Sequence, residues 1–316
     1  MTEGRGLLIL TLVLLGAGWG ISQPLSKIAV GAGYRPYGII FWQLAISGLV
    51  LGVNLRLRGR PLPMEWRHIR VYMIIALIGT ILPNTASYTA IAHIPSGMAS
   101  ILLSVVPMVA FPVALALGND SFSWRRLGGL LVGLCGVLLI VLPTALPSVQ
   151  GLNSGMTVWL LVALIAPAFY AFEGNFVARW GTAGLGPIQT LCGASLVGVF
   201  IALPIAVLSG AWITPFQPIG GPEAAIIGSS IVHAFVYSGY VWLVGRAGPS
   251  FAAQVSYLVT GFGVMWAMLI LSESYPATVW AAMGIMFIGI FLVQPRRKTA
   301  LAPDAPAPET GTAQGR

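Results

Sequence analysis

Charge is what this chain lacks most. Only 8% of its 316 residues are Asp, Glu, Lys or Arg, against about 25% in a soluble globular domain. So few charges cannot dress a water-facing surface, which puts most of the exterior against lipid. Cysteine and histidine are scarce too. Two cysteines, Cys135 and Cys192, and 3 histidines show no CxxC or His–Cys spacing, so neither a disulfide framework nor a metal site is expected. The chain has no GxxxxGK(S/T) loop, and no cofactor is expected. It has no HExxH, no paired carboxylates and no Ser–His constellation, which excludes the usual membrane-embedded enzymes. Neither a filter-like loop nor an appended signalling domain speaks for a channel or a sensor.

What is abundant is apolar. Hydrophobic residues make up 57% of the chain, and mean hydropathy is +0.89. The 39 glycines and 22 prolines sit inside apolar runs, where both are commoner in membrane helices than in soluble ones. A bilayer core of about 30 Å needs roughly 20 apolar residues per helix. On that ruler the sequence predicts spans near Gly6–Ala29, Tyr37–Leu55, Arg70–Ala92, Pro95–Leu117 and Arg126–Leu142. A second set follows near Met156–Ala178, Pro187–Leu208, Glu223–Val244, Pro249–Leu271 and Pro276–Val293. The first stretch runs on past the 7–15 residues of a signal-peptide core and reads as an uncleaved span.

The expected fold is therefore all-α, a polytopic membrane protein of about ten transmembrane helices. Residues 1–143 form a first five-span unit, 144–155 a periplasmic linker, 156–295 a second unit, and 296–316 a disordered cytoplasmic tail. If the spans alternate, every Lys and Arg except Lys27 and Arg35 falls on one side. The positive-inside rule makes that side the cytoplasm, with both termini there and the bacterial-type inner membrane as location. The net charge of +8 is accounted for by these loops, so no nucleic-acid partner is expected; the partners are the bilayer and a small-molecule substrate.

The halves repeat. Pro95-Ser96 aligns with Pro249-Ser250, Ala99 with Ala253 and Pro107 with Gly261; after a short slip Trp124, Gly128 and Gly133 match Trp280, Gly284 and Gly289. Five spans per unit is an odd number, so the second unit enters the membrane inverted. Repeats of this kind place a binding site near the midplane.

Several segments resemble a known group. WGISQPLSK (Trp19–Lys27) is similar to the first-span signature of EamA-type members of the drug/metabolite transporter superfamily, often Trp-Gly-x-Asn-x-x-x-x-Lys. SYTAIAHIPSGMASILLSVVP (Ser87–Pro107) resembles the junction of the third and fourth spans. SESYPATVWAAMGIMFIGI (Ser272–Ile290) resembles that of the ninth and tenth, with Ser272-Glu273 where relatives usually show Gly-Glu. The resemblance runs over about residues 6–294. It implies a ten-helix fold of two EamA units, and export or exchange of small metabolites, often amino acids.

Polar groups are costly in hydrocarbon and usually face a wet interior. His233, Tyr237 and Tyr240 share a face of the eighth span; His233 is a ligand contact or proton carrier, or else a neutral histidine bonded between helices. Glu173 is the one acid clearly inside a span, a proton carrier or ammonium counter-ion, or else a partner for Arg179. Trp19, Ser22, Gln23, Ser26 and Lys27 form a stripe on the first span, with Lys27 expected to snorkel and Gln23 to face the cavity. The third span offers Thr80, Asn84 and Tyr88, the ninth Gln254 and Tyr257, and Gln43 adds an amide to the second. Pro24, Pro83, Pro107 and Pro167 mark breaks or packing kinks. Trp66, Trp124 and Trp280 read as interface anchors. The function expected is secondary transport of small polar metabolites such as amino acids. Efflux of cationic or amphipathic amines is the alternative, and a membrane-embedded enzyme or channel a remote one.

Overall fold

A computed structural model describes residues 3–119, 121–145, 155–216, 218–247 and 255–293. Pro249, Ser250, Ala253, Gln254, most of the 144–155 linker and the 296–316 tail lie outside the described residues. Within them every regular element is helical. The helices form ten rods: α1 (Glu3–Gly31), α2 (Pro36–Leu57), α3 (Trp66–Ile91), α4 (Ser96–Ala116), α5 (Trp124–Ala145), α6 (Met156–Trp180), α7 (Pro187–Leu208), α8 (Gly221–Ala247), α9 (Val255–Leu271) and α10 (Ala277–Val293). The first seven are long and apolar enough to cross a bilayer, and α9 and α10 are shorter apolar helices.

Three rods are interrupted, each just upstream of a proline. A proline lacks the N–H and its ring collides with the carbonyl four residues back. In α3 the turns over Ala76–Ile81 widen into a π segment before Pro83. In α4 the helix stops at Leu103 and restarts at Val106, next to Pro107. In α6 it stops at Ala163 and restarts at Ile165, before Pro167. Pro24 leaves α1 continuous.

The packing repeats between the halves. Rod α1 packs on α8 and α9, and its counterpart α6 packs on α3 and α4. Likewise α2 packs on α7 and α8, and α7 on α2 and α3; α4 meets α9, and α5 meets α10. Exchanging each rod with the one five places on leaves this pattern unchanged, as a pseudo-twofold axis requires. Where a rod meets its own counterpart, equivalent residues should touch. They do: a Cβ on Gly289 would lie 2.7 Å from the Gly133 backbone nitrogen, so these two matched glycines bring α5 and α10 together backbone to backbone.

Loop contacts fix the alternation. At one end Arg35 donates to the Ser209 carbonyl at 3.0 Å, Tyr34 to Glu223, and Ser96 to Glu273. At the other, Gln189 donates to the Pro61 carbonyl at 2.7 Å and Asn119 to Asn175. The first, third, seventh and ninth connections thus gather at one end, and the second, fourth and sixth at the opposite end. With five rods per unit, the second unit is inverted relative to the first. The main core, including Ile40, Leu44, Ile91, Met98, Leu102, Leu160 and Met286, runs through both units.

Candidate functional site

The interior of the bundle carries a connected polar chain in otherwise apolar surroundings. Gln43 on α2 accepts at Oε1 from Asn84 Nδ2 (3.0 Å) and from the Tyr88 hydroxyl (2.6 Å), both on α3. The Tyr170 hydroxyl on α6 donates to Asn84 Oδ1 at 2.7 Å. Three rods from both units are thereby joined through one amide pair. The periodicity of α3 explains part of this: Asn84 and Tyr88 are four residues apart and share a face, just past the widened turns. A buried amide costs stability unless its donors and acceptors are met, and here each partner meets another.

Glu173 follows Tyr170 by three residues and lies on the same face of α6. Its carboxylate rests on α3 at Gly79, inside the π segment. A Cβ there would sit 2.5 Å from Glu173 Oε1 and 2.9 Å from Oε2, so a side chain at this position would displace the carboxylate. The carboxylate acts electrostatically on both the Tyr170 and Tyr237 phenols. No ion pair joins it to Arg179 among the described residues, so the expected alternative of a Glu173–Arg179 pair is absent.

Across the interior, α8 and α1 contribute rings. His233 stands 6.4 Å, centroid to centroid, from both Trp19 and Tyr237, and Trp19 lies 5.4 Å from Tyr240. On α1, Ser22 Oγ and Gln23 Oε1 are buried and meet no hydrogen-bond partner among the described residues. The structure thus gathers Gln43, Asn84 and Tyr88 in one group and His233 and Tyr237 in another, with Glu173 acting on Tyr170, which bonds the first, and on Tyr237 of the second. Gln23 joins by position alone, one turn along from Trp19. Tyr257 has its ring edge-on to Phe287 of α10, 5.7 Å away. Tyr170 did not emerge from the sequence, although its spacing from Glu173 was the available signal.

Lys27 behaves differently from expectation. Instead of snorkelling, its ammonium donates to the carbonyls of Ile91 (2.7 Å), Ile94 (3.0 Å) and Ala92 (3.4 Å), capping the end of α3. Beside it, Glu273 accepts from the Ser96 N–H (2.8 Å) and hydroxyl (2.9 Å) and the Gly97 N–H (3.2 Å), capping the start of α4. Tyr275 donates to the same carboxylate. Burial, with the carboxylate next to it, holds the Tyr275 phenol above its usual pKa, so it remains a donor.

An apolar cleft of about 300 Å³ opens between α2 and the α7–α8 connection, lined by Trp42, Ile46, Ile213 and Ile226. Glu223 at its margin is already held by Tyr34 and by the Gly220 N–H. This lining suits an acyl chain, not a polar solute. Among the described residues no group of His, Cys, Asp and Glu is placed to hold a metal ion.

Comparison with known proteins is consistent across sequence and structure. The chain is 21% identical over 281 residues to an S-adenosylmethionine/S-adenosylhomocysteine transporter of Chlamydia muridarum, covering 87% of each chain. It is 24% identical over 298 residues to the "probable terminal-alkyne amino-acid exporter" of Streptantibioticus cattleyicolor, covering 90% of this chain and 92% of that one. A WAT1-related chloroplastic protein of Arabidopsis thaliana is 22% identical over 285 residues; the match takes in 87% of this chain but 66% of the plant protein. A solved crystal structure, 17% identical, superposes with a TM-score of 0.59 over 90% of this chain and 97% of its own, which shows a shared fold. The EamA-like transporter family matches residues 6–142 and again 157–294. With both units matched and the rods paired about a pseudo-twofold axis, the chain belongs to the EamA-like transporter family and is a multi-pass membrane transporter, not an enzyme.

Proposed function

We propose that this protein is a secondary transporter that exports or exchanges a small, amino-acid-like metabolite through a cavity near the bilayer midplane. One observation carries the reading: polar groups of α1, α2, α3, α6 and α8 converge inside an apolar bundle, at the seam between two inverted units. Hydrocarbon would not pay for such a convergence without a polar ligand. In this reading Gln43, Asn84 and Tyr88 contact the ligand from one side. His233, Tyr237 and Gln23 contact it from the other, with Tyr257 in the α9 wall. Glu173 or His233 carries the coupled proton. The interruptions in α3, α4 and α6 supply the flexure for alternating access. The named substrates of the two bacterial relatives are both amino-acid derivatives, which supports the substrate class.

The clustering of Arg56, Arg58, Arg60, Arg67, Arg125 and Arg126 on connections at one end supports a cytoplasmic position for that end and for both termini, in an inner membrane. The units 1–143 and 156–295 act as the two halves that rock against each other. Proteoliposomes preloaded with unlabelled amino acids test the function. Saturable counterflow of labelled substrate is expected, and Glu173→Gln should flatten its pH dependence. Counterflow no faster than in empty liposomes, across amino acids, amines and nucleosides, refutes the transporter reading. An unchanged pH profile in Glu173→Gln removes that residue from proton coupling.

A further inference from the structure

We infer that the ligand group recognised in this cavity is a positively charged nitrogen or sulfur, received by the Glu173 carboxylate and the ring faces of Trp19, Tyr237 and Tyr240. The inference rests on the transporter reading and narrows it to a substrate class.

The charge inventory comes first. Every arginine lies in a loop, a terminal segment or the first or last turns of a rod, and none is near the middle of one. Lys27 is committed to three carbonyls at the end of α3. An anionic ligand group therefore finds no fixed counter-charge inside. Glu173 is the one acid in the interior of a rod, and it makes no ion pair among the described residues. In its ionised form Glu173 therefore gives the interior a negative charge that no basic side chain matches among the described residues.

The surroundings of that charge point the same way. Tyr170 and Tyr237, both acted on by Glu173, stand on different rods, α6 and α8. Beyond Tyr237, the rings of His233, Trp19 and Tyr240 continue at centroid spacings of 6.4, 6.4 and 5.4 Å. Aromatic faces are electron-rich and attract cations, tryptophan most strongly. The two orphaned groups on α1, Ser22 Oγ and Gln23 Oε1, are acceptors next to Trp19. Each can take a hydrogen bond from a ligand N–H or O–H, and Ser22 can also donate one. A carboxylate and a ring wall together form a receptor for an ammonium or sulfonium, and an anionic group would meet unfavourable electrostatics at both.

Choline, its uncharged carbon isostere and isovalerate share a branched shape and differ in charge, so they test this on the unaltered chain. In detergent, choline should raise the melting temperature at about tenfold lower concentration than the isostere, and isovalerate should give no shift. Glu173→Gln should abolish the preference, Trp19→Leu should weaken it, and Trp19→Phe should restore it; ligand-free melting checks that each variant folds. Equal shifts from choline and its isostere, a larger shift from isovalerate, or no shift from either choline or propylamine overturns the inference without any variant. Failure of transport reads differently. Choline that binds as stated but never exchanges in proteoliposomes defeats the transporter reading and leaves the cation site. Counterflow of anionic solutes without choline binding does the reverse.

Discussion

The two connections α4–α5 and α9–α10 occupy equivalent places in the two units, and the protein ends them with different chemistry. Each turns out of its rod through a residue in the left-handed region, Gly118 (φ 69°) and Ser272 (φ 53°). The next residue is Asn119 in one and Glu273 in the other. Glu273 reaches across to the start of α4 and takes two backbone N–H groups, a hydroxyl and the Tyr275 phenol. Asn119 reaches to α6, where it donates to the Asn175 carbonyl at 2.9 Å and its Oδ1 at 3.3 Å. Asn175 in turn donates to the carbonyls of Ala110 and Ala171. One end of the bundle is held by a charge at a helix N-terminus, the other by neutral amides. Charge-assisted hydrogen bonds are roughly twice as strong as neutral ones, and an anion at a helix N-terminus gains further from the aligned peptide dipoles. The end closed by Glu273 and Lys27 should therefore be the harder one to open.

The comparison breaks most visibly at the charged end. Glu273→Ala strands the Ser96 and Gly97 N–H groups and should destabilise the protein by about 2–3 kcal/mol. Unfolding in mixed micelles measures this, with Glu273→Gln expected to recover part of the loss. Asn175→Ala at the neutral end removes the amide that bonds the Ala110 and Ala171 carbonyls, while Asn119 keeps the backbone carbonyl of residue 175, and should cost less, about 1–2 kcal/mol. If Asn175→Ala proves the more damaging of the two, the ranking of the ends is wrong.

Much of this architecture was legible in the sequence, because hydrocarbon thickness dictates run length and leaves little freedom. Gly133 and Gly289 could be matched as equivalent positions, but that the two touch shows only once α5 packs on α10. Asn84, Tyr88 and Gln43 could be singled out as polar residues in apolar runs. That they meet each other could not, since Gln43 and Asn84 come together only when α2 packs on α3. Tyr170 is hard to single out because tyrosine is ordinary in membrane helices; its spacing from Glu173 is the one sequence signal, and its hydrogen bond to Asn84 is what distinguishes it. The snorkelling expected of Lys27 is absent for a related reason. Snorkelling is a property of an isolated helix, whereas its real acceptors are backbone carbonyls of another rod, and backbone acceptors leave no mark in sequence. Glu273 could be read as part of a junction, but not as the cap of α4.

The finest test of the comparison lies one residue before each cap. Left-handed backbone costs about 1–2 kcal/mol for a residue with a Cβ and nothing comparable for glycine. Gly118 meets that demand, and a Cβ added there would meet no atom within 4 Å, so Gly118→Ser should destabilise through the backbone alone. At the equivalent turn the chain carries exposed Ser272, where the sequences it resembles usually have glycine. The backbone bond after it is also looser. Asn119 N–H reaches the Ala114 carbonyl at 2.8 Å, as a helix cap of this type does, whereas Glu273 N–H reaches Ala267 at 3.3 Å, one residue further back. Ser272→Gly should accordingly stabilise the protein by about 0.5–1 kcal/mol, the strain relieved being partly offset by the greater freedom glycine gives the unfolded chain. Opposite signs for Ser272→Gly and Gly118→Ser, measured in the same micelles, would show that the two turns share one backbone geometry and differ only in the residue asked to adopt it. Equal signs would mean that Ser272 is held by contacts of its side chain, and the equivalence of the two connections would end at the helices.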